Sequence, residues 1–387
     1  MRVLVMTSQS VGHVFPPVAI AQALRAAGHE VLFAVPGAGT GDMAVIGGSE
    51  PAAHAGFHVF DAAPGHDTDA MFGQILAERA MTFDRFRTDS PEGPPLAAEV
   101  FARTSEVAVE RTLEVARDWR PDLVIHTELQ AAGPLVASKL GVPAVEHVIS
   151  MDTFRMISSR FGPWMAAAYE RHGVTGPPRV TATIDTRPPS LVRHDMGGWP
   201  MRALAYTGGG VLPPWLLTRP ERPRVAITLG TMEPVFNGVA PLRGVLEAAG
   251  EIEEAEFVLA LGHADPTPLG AVPDNVRVEG WVPLSALTRT CVAMIHHGGC
   301  GTTLAGLAEG LTHLVVPGGA DDHYVAESLR ARGLGLVSPI EKVDAGLIRT
   351  LLTDEGLRAV AGEVRREMEA LPTPAEIVPR LEKLAAG

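Results

Sequence analysis

Short runs of valine, leucine and isoleucine alternate with longer stretches whose apolar residues recur at helical spacing, almost from the first residue. That alternation predicts strands over residues 2–6, 30–35, 122–126 and 144–147, with helices over 15–26 and 131–140. The pattern then collapses. Thr207-Gly208-Gly209-Gly210 is followed by Pro213, Pro214, Pro220 and Pro223, and glycine and proline at that density read as an interdomain linker. Alternation restarts with strands predicted over 224–229, 257–261, 275–279, 292–296, 313–316 and 334–337, and with helices that include 284–290 and 302–309. An amphipathic helix over 374–386 follows Leu371-Pro372. The strands are continuous apolar runs, as expected of parallel sheets covered on both faces. The fold class expected is α/β, with two doubly wound Rossmann-like domains. They span 1–207 and 224–370, joined by a linker over 208–223 and followed by a terminal segment over 371–387.

Composition narrows the partners. The 387 residues, 46% of them hydrophobic, suffice for a substantial core in each of two domains. A formal net charge of −13 argues against nucleic acid and anionic membrane, whose binding relies on a positive surface. An anionic ligand must then be held by local dipoles. Cys291 and Cys300 flank one predicted strand and read as reduced, buried thiols, and two cysteines cannot furnish a metal quartet. The opening apolar run is too short for a signal sequence, and no segment approaches the ~20 apolar residues that span a bilayer. A soluble, cytoplasmic protein is the expectation.

The densest chemistry lies between Trp281 and His323. His296-His297-Gly298-Gly299-Cys300-Gly301-Thr302-Thr303 falls where a buried strand turns into a helix, so peptide N–H groups and the helix dipole favour an anion. His297 could donate to that anion, and Thr302 and Thr303 could cap the helix or bond a phosphate oxygen. A lone glycine cluster would also serve as a plain tight turn. Upstream, Trp281 and Val282 end a short strand, where an indole offers a face for a base and the backbone can read its polar edge. A core tryptophan is the alternative. Downstream, Asp321 and Asp322 follow a strand end at Pro317, where ligands bind in α/β sheets and carboxylates accept from sugar hydroxyls. An ordinary acidic helix cap fits the same residues. Gly230-Thr231, after the strand over 224–229, makes a further strand-end site for phosphate. In the first half, His13 lies in the loop between the first strand and a helix that Pro16 suits as a first-turn residue. No G-x-G-x-x-G is present there, so a dinucleotide fold is unsupported.

Together these features resemble the nucleotide-sugar-dependent glycosyltransferases of the two-domain GT-B kind, particularly the bacterial enzymes that decorate polyketide and enediyne natural products. The order and spacing match over nearly the whole chain, more loosely in the first domain's loops. The resemblance implies two sheets facing across a cleft, the donor site in the second domain, and a terminal helix returning to the first. It implies that Trp281 stacks on the nucleobase, that His297, Gly299, Gly301 and Thr302 hold the pyrophosphate, and that Asp321 and Asp322 hold the sugar. Two departures matter. Asp322 stands where the family usually has glutamine. Ala305 stands where many relatives have a glutamate that grips both ribose hydroxyls, which favours a dTDP-sugar over a UDP-sugar.

The resemblance also makes His13 the catalytic base, with Gly12 beside it at the donor. An imidazole suits direct displacement at an anomeric carbon, where the acceptor's proton leaves as its oxygen attacks. Relatives orient this histidine with an acidic residue whose matching position is Thr127, with Glu128 its neighbour. Acceptor contacts are expected from Met71, Phe72, Phe83, Phe86, Met151, Phe154, Met156, Phe161 and Trp164, types that suit a flat apolar aglycone. The resulting expectation is an inverting, metal-independent enzyme with no cofactor and a dTDP-sugar as co-substrate. It acts on a hydroxyl of a polyketide-like or enediyne-like acceptor, without nucleic acid or membrane, and a homodimer is left open. The alternatives are a non-catalytic nucleotide-sugar-binding helper and a UDP-sugar enzyme acting on a lipid or sterol.

Overall fold

The computed structural model describes residues 1–37, 48–82, 85–151, 154–192 and 197–387. They form two compact units: Met1–Arg187 with Val192–Gly208 and Ala370–Gly387, and Pro188–Leu191 with Gly209–Glu369.

The first unit is built on seven parallel strands, β1 (Arg2–Met6), β2 (Glu30–Val35), β3 (His58–Asp61), β4 (Leu123–Thr127), β5 (Ala144–His147), β6 (Ala182–Asp185) and β7 (Trp199–Pro200). Their order is β3-β2-β1-β4-β5-β6-β7, so the topology reverses between β1 and β4, where Met6 pairs with His126. β1, β2 and β5 have the expected bounds. β4 starts one residue late because Asp122 turns its carboxylate to the Arg2 amide, 2.7 Å away. The expected helix over 15–26 starts three residues late, and a separate turn of helix precedes it. A single turn, Val11–Val14, is capped by Ser10, and the longer helix, Val18–Ala26, begins after Pro16 and Pro17, with Pro17 at its N-cap. Pro16 therefore lies between the helices, not in a first turn.

The last helix, Pro374–Ala385, opens with a capping box between Thr373 and Glu376. Its Ile377, Val378 and Leu381 enter the same core as Val18, Ile20, Leu24 and Phe33 of the first unit. His29 Nε2 meets Glu382 at 2.9 Å, and the Arg202 amide donates to Pro372 at 2.7 Å.

The second unit carries β8 (Arg224–Thr228), β9 (Glu256–Ala260), β10 (Val276–Glu279), β11 (Ala293–His296), β12 (Thr312–Val315) and β13 (Gly335–Val337), all parallel in the order β10-β9-β8-β11-β12-β13. Alternate residues explain the continuous apolar runs. Val225, Ile227, Ala293 and Ile295 enter one core, while Ala226 and Met294 enter another on the opposite face. Residues expected to be linker are part of this second core: Leu216 is buried there, and Arg224 and Arg277 each lie 5.0 Å from the Trp215 ring. Aromatic and apolar side chains thus anchor the proline-rich stretch, which a proline count does not reveal.

Candidate active site

In the second unit the reversal falls between β8 and β11, where His296 pairs with Thr228, and both following turns gather there. The His297 ring sits between two glycines. A Cβ at Gly230 would lie 2.5 Å from its Cε1, and one at Gly299 would lie 2.3 Å from its Nε2. Gly230, at φ +69°, is left-handed as well, so glycine is required there twice over. Burial lowers His297 to about 4, against the pull of its hydrogen bond to the Thr228 backbone, so the ring is neutral and its one N–H is held by that carbonyl.

The helix Cys300–Glu309 starts two residues earlier than expected, with Gly299 as N-cap and no side-chain cap. Thr303 does not cap it: its hydroxyl donates to the Gly299 carbonyl at 3.0 Å. The amides of Gly301 and Thr302, in the first turn, have no helical carbonyl to bond. A Cβ at Gly301 would meet nothing within 4 Å. Gly301 is itself exposed, and amides without helical partners at a helix start attract an anion. Thr231 and Thr302 are both half-buried beside these turns.

Trp281 is 37% exposed and stacks with His263 at 5.6 Å and 23°, while Val282 packs on the second unit's smaller core. Asp321 and Asp322 are brought to the glycine turn, since a Cβ at Gly298 would lie 2.9 Å from the Asp322 carbonyl oxygen. Neither acts as an ordinary cap. Asp321 occupies the N-cap position of the helix Asp322–Arg332 without a capping bond, and Asp322 accepts from the Gly318 amide at 3.3 Å. Burial raises Asp321 to about 6. Asp322 is raised further by burial and by the charges of Asp321 and Glu233.

Glu233 went unnoticed in the sequence. It is buried at the start of the helix Glu233–Asn237, accepting from the Gly319 amide at 2.9 Å and from Asn237 at 2.6 Å. The available signal was an acidic residue just after the strand-end pair Gly230-Thr231.

In the first unit, His13 lies within the one-turn helix after β1, its ring 5.5 Å from that of Phe101, and Gly12 is exposed beside it. Burial lowers it to about 4. The expected orienting bond is not made: His13 Nδ1, Thr127 Oγ1 and Glu128 Oε1 are each buried without a hydrogen-bond partner. Glu128 is committed elsewhere, its Oε2 accepting from the Ile149 and Ser150 amides at 2.9 and 3.1 Å. Burial, then repulsion from Glu146, raises it to about 8, so it stays protonated at neutral pH.

Of the expected acceptor residues, Trp164 and Met156 are exposed, and Met71 and Phe72 are half-buried on the helix Thr68–Glu78. Met151, Phe86 and Phe161 are core, with Phe72 edge-on to Phe86 at 6.0 Å. Phe83 and the Phe154 side chain lie outside the described residues.

Two doubly wound parallel sheets, with an amide-lined turn at the switch point of the second, define a GT-B glycosyltransferase. The chain belongs to the erythromycin biosynthesis protein CIII-like family, whose N-terminal domain matches residues 22–230 and whose C-terminal domain matches residues 243–384. Elloramycin glycosyltransferase ElmGT of Streptomyces olivaceus is 37% identical over 387 residues, covering 98% of this chain and 97% of the relative. The glycosyltransferase SnogD from Streptomyces nogalater matches with a TM-score of 0.85 at 39% identity, covering 100% of this chain and 99% of its own. SsfS6 of Streptomyces sp. SF2575, solved with thymidine diphosphate, matches with a TM-score of 0.78 at 30% identity and 99% coverage of both chains. The protein is a sugar-transferring enzyme of the bacterial natural-product kind. Among the described residues no helix is long and apolar enough to cross a membrane.

Proposed function

We propose that the enzyme transfers a deoxy or otherwise modified sugar from dTDP to a hydroxyl of a polyketide-like acceptor, with inversion and without a metal. The observation that carries the reading is the His297 ring between Gly230 and Gly299, beside the free amides at Gly301 and Thr302. That seat offers neutral donors to a departing diphosphate, whose developing charge it stabilises in the transition state. Trp281 presents an indole to the base, and Ala305 offers no acceptor for a second ribose hydroxyl. The complex of SsfS6 with thymidine diphosphate supports the same donor class.

In this scheme His13 removes the acceptor's proton as its oxygen attacks the anomeric carbon and the bond to dTDP breaks. A base lowered to about 4 takes a proton more readily from a phenol than from an alkanol, which favours an aromatic hydroxyl as nucleophile. Thermal unfolding with dTDP, UDP and NAD tests the donor: dTDP should protect most strongly. Equal or better protection by UDP refutes the argument from Ala305.

A further inference from the structure

Behind the anion seat lie two histidines that the scheme above does not use. His296, the last residue of β11, and His313, on β12, are both fully buried. Their rings meet with His296 Nε2 2.9 Å from His313 Nδ1. At the other end of the pair, the Gly298 amide reaches His296 Nδ1 at 3.2 Å.

An amide can only donate, so His296 Nδ1 must hold a lone pair. In a neutral ring the proton is then on Nε2, and that N–H donates to His313 Nδ1. His313 in turn carries its proton on Nε2, an atom buried without a hydrogen-bond partner among the described residues. Gly306 of the helix Cys300–Glu309 lies against this ring: a Cβ there would come within 2.7 Å of His313 Cε1 and 2.4 Å of Met294 Sδ. Burial lowers His313 to about 3 and His296 well below its ordinary value, in keeping with two neutral rings.

Gly298 is the hinge of the seat. Its φ of +117° and its packing on Asp322 make its peptide orientation unusual, and His297 and Gly299 are its neighbours. A Gly298 amide without its acceptor would be free to turn, taking both with it.

We propose that His313 is a positioning residue for the donor diphosphate: acting through the tautomer of His296, it fixes the Gly298 peptide and so aims His297 and the first amides of the helix. The inference rests on the donor-site reading and adds to it a residue that does not touch the ligand.

The test compares His313→Asn with His313→Leu in the full chain. Asparagine places an acceptor oxygen where Nδ1 stood, whereas leucine fills similar volume without one. The leucine variant should bind dTDP about five- to tenfold more weakly than wild type, with asparagine restoring affinity to within about twofold. Thermal midpoints without ligand should fall by similar amounts in both, so loss of packing alone would not separate them. Nitrogen-15 spectra of the wild-type histidines should show both rings protonated at Nε2. Equal dTDP affinity in the two variants, or a proton on His296 Nδ1, would overturn the proposal. Failure of the wild-type chain to bind dTDP would overturn the donor reading together with it, a result distinct from a Leu–Asn comparison among binding proteins. Should the leucine variant not fold, the wild-type tautomers decide the matter.

Discussion

Glu233 accepts the amide hydrogen of Gly319 at 2.9 Å across 86 residues of chain, joining the turn after β8 to the loop that carries Asp321 and Asp322. A Cβ at Gly318 would come within 1.5 Å of Glu233 Oε1. Glu233→Ala leaves a buried amide unpaired and should cost about 1–3 kcal/mol in urea unfolding. Glu233→Gln should cost less, because it keeps an acceptor and removes a charge that pushes Asp322 upward. Equal costs for the two substitutions would show that the Gly319 bond contributes little.

Gly230→Ala and Gly299→Ala both place a methyl against the His297 ring. The ring must move, so dTDP affinity should fall by about tenfold or more in each, read by calorimetric titration. Gly301→Ala is the control: its methyl meets no protein atom within 4 Å, so wild-type stability is expected. A loss of affinity there would report contact with the ligand itself.

Glu128 is protonated in the folded protein up to about pH 8. Unfolded, it releases its proton near its ordinary value of 4.5, so the folded state binds more protons between these limits. Its contribution is full below the lower limit and is lost as pH rises to the upper one. Glu128→Gln should therefore gain stability relative to wild type from pH 5 to pH 8, on the order of a few kcal/mol, measured by denaturant unfolding at each pH. A constant difference across that window would place a charged Glu128 in the folded state.

The buried histidines pull the opposite way. His13, His126, His147 and His297 are each lowered to about 4 by burial, so the unfolded chain binds more protons as pH falls below 6.5. Stability should drop from there toward pH 4. For catalysis the same shift at His13 predicts kcat/KM with no base-related decline from about pH 8 to about pH 5, and His13→Ala should reduce kcat by roughly 10²- to 10⁴-fold. An acidic limb near 6.5 would mean that the base is solvated or is another group.

What the sequence revealed depended on how much of the signal was local. β1 and β2 are dense in valine and leucine, and pattern alone found their bounds. β6 and β7 escaped because Ala182–Asp185 alternates apolar and polar residues instead of forming an apolar run, and Trp199–Pro200 is too short to stand out. The glycine turn was legible because its residues are adjacent in the chain. Glu233 was not, since its place depends on the close approach of Gly318, which no spacing records. Thr127 and Glu128 fell at the expected strand end, yet the backbone turn at Ile149 and Ser150 takes Glu128 away from His13. Which carboxylate a loop amide will claim is a tertiary matter.

The closing helix Pro374–Ala385 has a consequence for biosynthesis. A core that begins with Val3 and Val5 is completed only by Ile377, Val378 and Leu381, which follow both sheets in the chain. At about 5–20 residues per second the nascent N-terminal sheet must wait some tens of seconds with that apolar face uncovered. The second sheet, whose strands all precede this helix, can assemble in the meantime. Removing the helix Pro374–Ala385 should therefore harm solubility first in the half of the protein synthesised earliest.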